Sequence, residues 1–206
     1  MEENSSNDSS PNEGVSYMAK SLLFVCMFNA GRSVASEYLL RHLLRERDER
    51  LAQRVRISSA GLVTKETIQY LKDFGLSIPK PFFGRPPHRY MITLMARRGI
   101  DVTGHRSRGL NIVVLHQADL VIVFGEQLKA AILSFWPEAE GKVFAFKEFV
   151  EEEYPVTEDP GAAPYADGDF VDYPIDCTAP FIAEIERCLA QTIGKFLHHL
   201  QFTEAL

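Results

Sequence analysis

A chain of 206 residues with 46% apolar and 24% charged side chains has the make-up of a soluble globular protein with room for a real core. Its net charge of −6, with no dense Lys/Arg patch interleaved with aromatics, argues against a nucleic-acid surface. The three cysteines, at 26, 177 and 188, are odd in number and lack metal-ligand spacing, which points to a reducing compartment and to no metal site.

Residues 1–19 are polar and acidic, too poor in apolar groups to offset the entropy of ordering, and read as a disordered tail. They have neither the basic start nor the apolar centre of a signal peptide, and no stretch approaches the ~20 apolar residues of a membrane span. The expectation is a cytoplasmic protein with one domain over residues 20–202, no membrane association and an oligomeric state that the sequence leaves open.

The first element is a buried strand, Leu22-Leu23-Phe24-Val25. After a short loop, Ala35, Tyr38, Leu39 and Leu43 fall on one face at helical spacing. Arg54-Val55-Arg56-Ile57-Ser58 reads as a second strand ending at Ser59-Ala60-Gly61. A short helix is expected within residues 67–74. Residues 75–87 carry four prolines and read as a loop, and residues 90–98 as a helix stopped by Gly99. The apolar run at 118–124 suits a strand covered on both faces of a parallel sheet. Residues 126–135 read as a helix, 142–146 as a fourth strand, and 178–200 as a long amphipathic helix with a stripe of Ile182, Ile185, Leu189, Ile193, Phe196 and Leu200. Strands alternating with helices predict an α/β fold: a single-domain, parallel four-stranded sheet with helices on both faces.

In such folds ligands sit beyond the carboxyl ends of the strands. There the sequence reads Cys26-Met27-Phe28-Asn29-Ala30-Gly31-Arg32-Ser33. A cysteine leaving a strand into a tight loop at a helix N-terminus meets unpaired amides and the positive end of the helix dipole. Both hold anions and favour thiolate. Asn29 and Gly31 tolerate left-handed backbone, and Ser33 is placed to cap the helix. Arg32 is able to fork two donors onto a tetrahedral anion. No Walker-type glycine-lysine loop occurs anywhere in the chain.

The stretch Leu22-Leu23-Phe24-Val25-Cys26-Met27-Phe28-Asn29-Ala30-Gly31-Arg32-Ser33 resembles the phosphate-binding loop of the low-molecular-weight protein tyrosine phosphatases and their arsenate reductase relatives. Ile57-Ser58-Ser59-Ala60-Gly61 resembles that family's second-strand motif. Likewise, Arg98-Gly99-Ile100-Asp101-Val102-Thr103-Gly104-His105-Arg106-Ser107-Arg108 is similar to its histidine segment, and Glu158-Asp159-Pro160 to its acid loop. The resemblance covers roughly residues 21–200.

It implies a phosphotyrosine or small aryl-phosphate monoester hydrolase without a cofactor, working through a cysteinyl-phosphate. Cys26 would be the nucleophile, Arg32 the phosphate clamp and Asp159 the general acid, then base. Met27, Phe28, Asn29, Ala30, Gly31 and Ser33 would form the cradle. Asn29 would brace it through Ser59, and Ser33 would offer its hydroxyl to sulfur. A small-thiol-dependent arsenate reductase and a phosphate- or phosphoprotein-binding module with little turnover are the alternatives.

Several positions depart from the family pattern. Phe28 stands in place of a small residue, Gly31 in place of a frequent second cysteine and Val34 in place of proline. Residues 65–87 read as an insertion, and the acid loop is lengthened. Asp167, Asp169, Asp172 and Asp176 rival Asp159 as the acid. Phe28, Phe82, Phe83 and Tyr165 either flank an aryl phosphate or pack under the insertion. His105 is expected to be a polar structural residue, and Cys177 and Cys188 ordinary thiols.

Overall fold

The computed structural model describes residues 19–65, 67–73, 83–150 and 175–202. Four parallel strands lie in the order β2-β1-β3-β4. They are β1 (Lys20–Cys26), β2 (Val55–Gly61), β3 (Leu120–Val123) and β4 (Val143–Ala145). Between them run helices α1 (Arg32–Arg47), α2 (Glu49–Arg54), α3 (Ile68–Asp73), α4 (Arg89–Ala96), α5 (Ile112–Gln117), α6 (Glu126–Phe135) and α7 (Phe146–Val150). The last, α8 (Ile175–His199), follows β4 and α7.

Strand β1 shows why its apolar run is unbroken rather than alternating. Leu22, Phe24 and Cys26 face one core, packed with Leu39 and Leu40 of α1 and Ile182, Ile185 and Leu189 of α8. Leu23 and Val25 face the other, with Leu115 of α5 and Ala131 and Ile132 of α6. A parallel strand covered on both faces has no solvent side to keep polar. On the first face, aromatic rings run from Phe146 through Phe124 and Phe24 to Phe196, with centroid separations of 4.7, 6.4 and 6.1 Å. Each such side chain contributes about 1.5–3 kcal/mol by leaving water.

The register pairs Cys26 with Gly61 on one side and Val25 with Val123 on the other. From β1 the chain crosses to β2 at one edge, and from β3 it crosses to β4 at the other. The reversal lies between β1 and β3, where an open α/β sheet leaves its crevice. Cys26 leaves β1 at that point.

Several boundaries differ from the sequence reading. Strand β2 begins at Val55 rather than Arg54, because Arg54 closes the short helix α2, which Asp48 caps by accepting from the amides of Arg50 and Leu51. Helix α5 was not predicted. Its six residues are too few for a periodic signal, although Asn111 caps it by accepting from the Val114 amide at 3.0 Å.

Candidate active site

The loop between β1 and α1 folds back over its own cysteine. The Asn29 amide donates to Cys26 Sγ at 3.3 Å, and Ser33 Oγ lies 3.0 Å from the same sulfur. Asn29 holds the turn in left-handed backbone, at φ 58°. The small residue its conformation calls for is an asparagine because its amide is used on both sides.

Oδ1 of Asn29 accepts from the Arg108 amide at 3.0 Å and meets His105 Nε2 at 3.2 Å. That orients Nδ2 the other way, where it donates to Ser33 Oγ at 3.1 Å and to Ser59 Oγ at 2.7 Å. Ser59 in turn donates to the buried carboxylate of Glu37. With its oxygen accepting from Asn29, Ser33 has its proton left for the cysteine sulfur. A buried network in which every member is satisfied makes for a rigid loop.

Two expectations about this loop are corrected. Gly31 is not left-handed, its φ being −132°, and Ser33 does not cap α1. Helix α1 starts at Arg32 with no side-chain cap, since the Ser33 hydroxyl is turned toward Cys26 and Asn29. What Gly31 supplies is space: a Cβ there would lie 3.2 Å from the Tyr90 hydroxyl.

The floor beneath the loop comes from the end of β2. The Leu62 amide donates to Cys26 O at 2.9 Å and the Val63 amide to Met27 O at 3.0 Å, continuing the ladder past the strand. Gly61 allows this close approach, because a Cβ on it would stand 2.8 Å from the Phe28 carbonyl carbon and 3.0 Å from Asn29 N and Met27 O. Arg108 ties the same end down by donating from Nε to Ser59 O at 2.7 Å. Arg32, the first residue of α1, spans the crevice and donates from Nη1 to Phe124 O at 3.2 Å.

Two ionisable groups lie under the loop: Glu37, which the sequence reading did not single out, and His105, which it expected to be a polar structural residue. Glu37 is buried one turn into α1, beside Arg41 at 2.8 Å. Burial pushes its carboxyl above the usual range, against the pull of Arg41, Ser59 and Arg108. Burial likewise pulls His105 below the ordinary imidazole range, with Arg108, Arg41 and Arg106 adding to the effect against its bond to Asn29. A neutral His105 suits its place: Asn29 O and Oδ1, both acceptors, face Nε2, so that nitrogen carries the proton.

Of the residues singled out in the sequence, Cys26, Met27, Phe28, Asn29, Ala30, Gly31, Arg32, Ser33 and Ser59 are thus brought together. Phe28 is buried with Leu62, Val63 and Leu110 beneath the loop. Phe83 lies against Gly109, where an added Cβ would meet its ring at 2.9 Å. Asp159 lies outside the described residues, as do Asp167, Asp169, Asp172, Phe82 and Tyr165. The same holds for the side chains of Asp176 and Cys177, while Cys188 is a buried free thiol. Among the described residues, no group of three or more His, Cys, Asp and Glu could hold a metal ion, and no helix is long and apolar enough to cross a membrane.

Comparison with known proteins places this architecture. Residues 79–168 match the model of the low molecular weight phosphotyrosine protein phosphatases, a span that includes Asp159. The low molecular weight protein-tyrosine-phosphatase Ptp of Acinetobacter johnsonii is 31% identical over 125 residues, 61% of this chain and 70% of that one. The chain belongs to the low molecular weight protein-tyrosine-phosphatase family.

A further relative, the probable low molecular weight protein-tyrosine-phosphatase EpsP of Ralstonia solanacearum, is 29% identical over 131 residues, 64% of this chain and 73% of that one. Among solved structures, the low molecular weight protein tyrosine phosphatase from T. tengcongensis superposes with a TM-score of 0.64 at 24% identity, covering 86% of this chain and 99% of that one. The YwlE arginine phosphatase of Geobacillus stearothermophilus gives 0.62 at 22%, covering 90% and 97%. At these identities the solved structures speak to the fold: it is the phosphatase fold, with Cys26 at the end of its first strand.

Proposed function

We propose that this member of the family hydrolyses phosphotyrosine or a similar aryl phosphate through a cysteinyl-phosphate. The observation that carries the reading is the Cys26 sulfur held between the Asn29 amide and the Ser33 hydroxyl, at the mouth of a loop that ends in Arg32.

The Cys26 thiolate attacks phosphorus in line, and the bond between phosphorus and the aryl oxygen breaks. The loop amides and Arg32 hold the equatorial oxygens, whose charge is shared through the transition state. Asp159 gives its proton to the departing phenolate oxygen and then takes one from the water that cleaves the sulfur–phosphorus bond. The Ser33 hydroxyl stabilises the sulfur as it leaves as thiolate. No cofactor or metal enters this scheme.

The relatives favour hydrolysis over arsenate reduction or simple phosphate binding, since the family members matched carry protein-tyrosine-phosphatase names. The test is hydrolysis of p-nitrophenyl phosphate by wild type and Cys26→Ser with a chelator present. Turnover by wild type and none by the variant is expected. An inactive wild type across pH 5–7, or an active Cys26→Ser, overturns the reading.

A further inference from the structure

Helix α6 begins from a sharp bend at the end of β3. Phe124 still belongs to the sheet, its amide donating to Val25 O at 2.9 Å. The next amide, that of Gly125, donates back to Val123 O at 3.1 Å, so the chain makes a tight three-residue turn about Phe124. Gly125 then stands at φ 129° and ψ 139°, and its carbonyl accepts from the Lys129 amide at 3.0 Å in the first turn of α6. That backbone conformation is open to glycine and to almost no other residue. A Cβ at Gly125 would come no nearer to its surroundings than 4.0 Å, at Leu128 Cγ. Crowding does not call for glycine here; the conformation does.

The bend sets the orientation of the peptide between Phe124 and Gly125, and the carbonyl of that peptide accepts from Arg32 Nη1 across the crevice at 3.2 Å. The Phe124 ring holds the acceptor in place from behind. It is buried and stacked on Phe146 at 4.7 Å with the planes 22° apart, and Arg32 Cζ lies 6.0 Å from its centroid. A guanidinium is rigid and planar, so an acceptor on one nitrogen sets the plane in which the other donors point. Contact through Nη1 does not use the parallel N–H groups of Nε and Nη2, whose spacing matches two oxygens of a phosphate.

We propose that Phe124 and Gly125 are positioning residues for Arg32: the left-handed backbone at Gly125 aims the Phe124 carbonyl into the crevice, and that carbonyl orients the guanidinium toward the phosphoryl group. The inference rests on the phosphatase reading above, in which Arg32 holds the equatorial oxygens. Being neutral, this acceptor orients the cation without cancelling its charge, which stays available to a dianionic phosphoryl group.

The experiment is a double-mutant cycle on Gly125→Ala and Arg32→Ala, read by the Kd of vanadate in titration calorimetry and by kcat/KM on p-nitrophenyl phosphate. Alanine must leave φ 129°, which rotates the Phe124–Gly125 peptide and takes its carbonyl away from Arg32. With Arg32 present, Gly125→Ala should weaken vanadate by about tenfold, the scale of a lost hydrogen bond to a charged group, and lower kcat/KM at least as much. With Arg32→Ala already in place, the same substitution should change either reading by less than about twofold. Gly141, at φ 87° in the turn before β4, supplies the control. Gly141→Ala imposes the same kind of strain away from the crevice, so it should lower Tm and leave both readings near wild type. Equal losses from Gly125→Ala with and without Arg32, or no loss at all, overturn the proposal.

A second measurement needs no change at Gly125 and so holds even if that variant fails to fold. In wild type labelled with 15N-arginine, the Nη1 protons of Arg32, assigned by their disappearance in Arg32→Lys, should rotate and exchange slowly. A freely rotating Arg32 guanidinium overturns the proposal. If wild type hydrolyses p-nitrophenyl phosphate but the cycle is additive, the seat for Arg32 is wrong and the phosphatase reading stands. If there is no hydrolysis, yet vanadate binding loses its dependence on Gly125 once Arg32 is removed, the seat stands and the reading of the activity falls.

Discussion

Replacing Gly61 with alanine adds one methyl group at the point where β2 touches the phosphate loop. That carbon would lie 2.8 Å from the Phe28 carbonyl carbon and 3.0 Å from both Asn29 N and Met27 O. All three are backbone atoms, so no side chain is available to swing aside. Ordinary contact begins near 3.4 Å, which means three consecutive residues beside Cys26 must retreat by roughly half an ångström. The strand has little freedom to yield instead, because the Gly61 amide donates to Arg108 O at 2.8 Å and Gly61 O accepts from the Leu110 amide at 2.7 Å. Overpacking of this kind costs about 1–3 kcal/mol. In a chain of this size, that is a fall in Tm of roughly 2–12 °C. Displacement of about 1 Å in a reacting group is worth about a hundredfold in rate, so half that shift should lower kcat on p-nitrophenyl phosphate by about tenfold. Steady-state kinetics and a thermal melt of Gly61→Ala measure both effects. Gly104→Ala is the comparison, since a Cβ there meets nothing within 4 Å, and both quantities should stay near wild type. A Gly61→Ala protein with wild-type kcat and Tm would refute the close-approach reasoning.

Three other outcomes are expected. Asn29→Ala loses both amide donations and puts a Cβ residue at φ 58°, and it should be less stable than Asn29→Gly by about 1 kcal/mol in denaturant unfolding. His105→Gln keeps a donor for Asn29 but does not titrate. Because burial holds His105 below its unfolded-state value of about 6.5, its contribution is present above that pH and is lost as pH falls toward the folded-state value. The wild-type Tm should therefore drop more steeply than that of His105→Gln on acidification below about pH 6.5; Glu37, shifted the opposite way, is common to both proteins. Asp159→Asn should slow phosphotyrosine by roughly 10²–10⁴-fold and esters of strongly acidic phenols far less. If Asp167→Asn or Asp172→Asn gives that pattern instead, the acid lies further along the lengthened loop.

The parts of the site that could be read from the sequence are those contiguous in it. Cys26, Asn29, Arg32 and Ser33 fall within eight residues between an apolar strand and a helical stripe, so spacing alone suggested an anion cradle. The pairing of Asn29 with Ser59 needed the family resemblance, because thirty residues separate them. Glu37 lay unnoticed on α1 among other charged helix residues, since only its burial against Ser59 sets it apart from an exposed acid such as Glu46. Arg108 acts partly through its backbone amide, which no side-chain pattern can signal. Ser33 was misread as a cap for a related reason. Its hydroxyl had two uses, and the stronger one lay in the tertiary structure. The strands fared better, because the uninterrupted apolar residues of β1 and β3 leave few alternatives in a doubly covered sheet.

Hydrogen bonds among Cys26, Asn29 and Ser33 shape the phosphate loop locally, but its anchorage to the rest of the protein is long-range. It is held by β2 through Gly61, Leu62 and Val63, and by residues 105–108, which lie more than seventy positions away from Asn29. Contacts of such long sequence separation carry a large loop-closure cost and form only when the sheet has formed. An oxyanion recognised by this loop therefore has no partial site to bind in the unfolded chain. Its whole affinity becomes a contribution to global stability, about 2.7 kcal/mol at a concentration one hundred times its Kd. For this protein, a phosphate or vanadate titration followed by melting temperature is as much a folding measurement as a binding one.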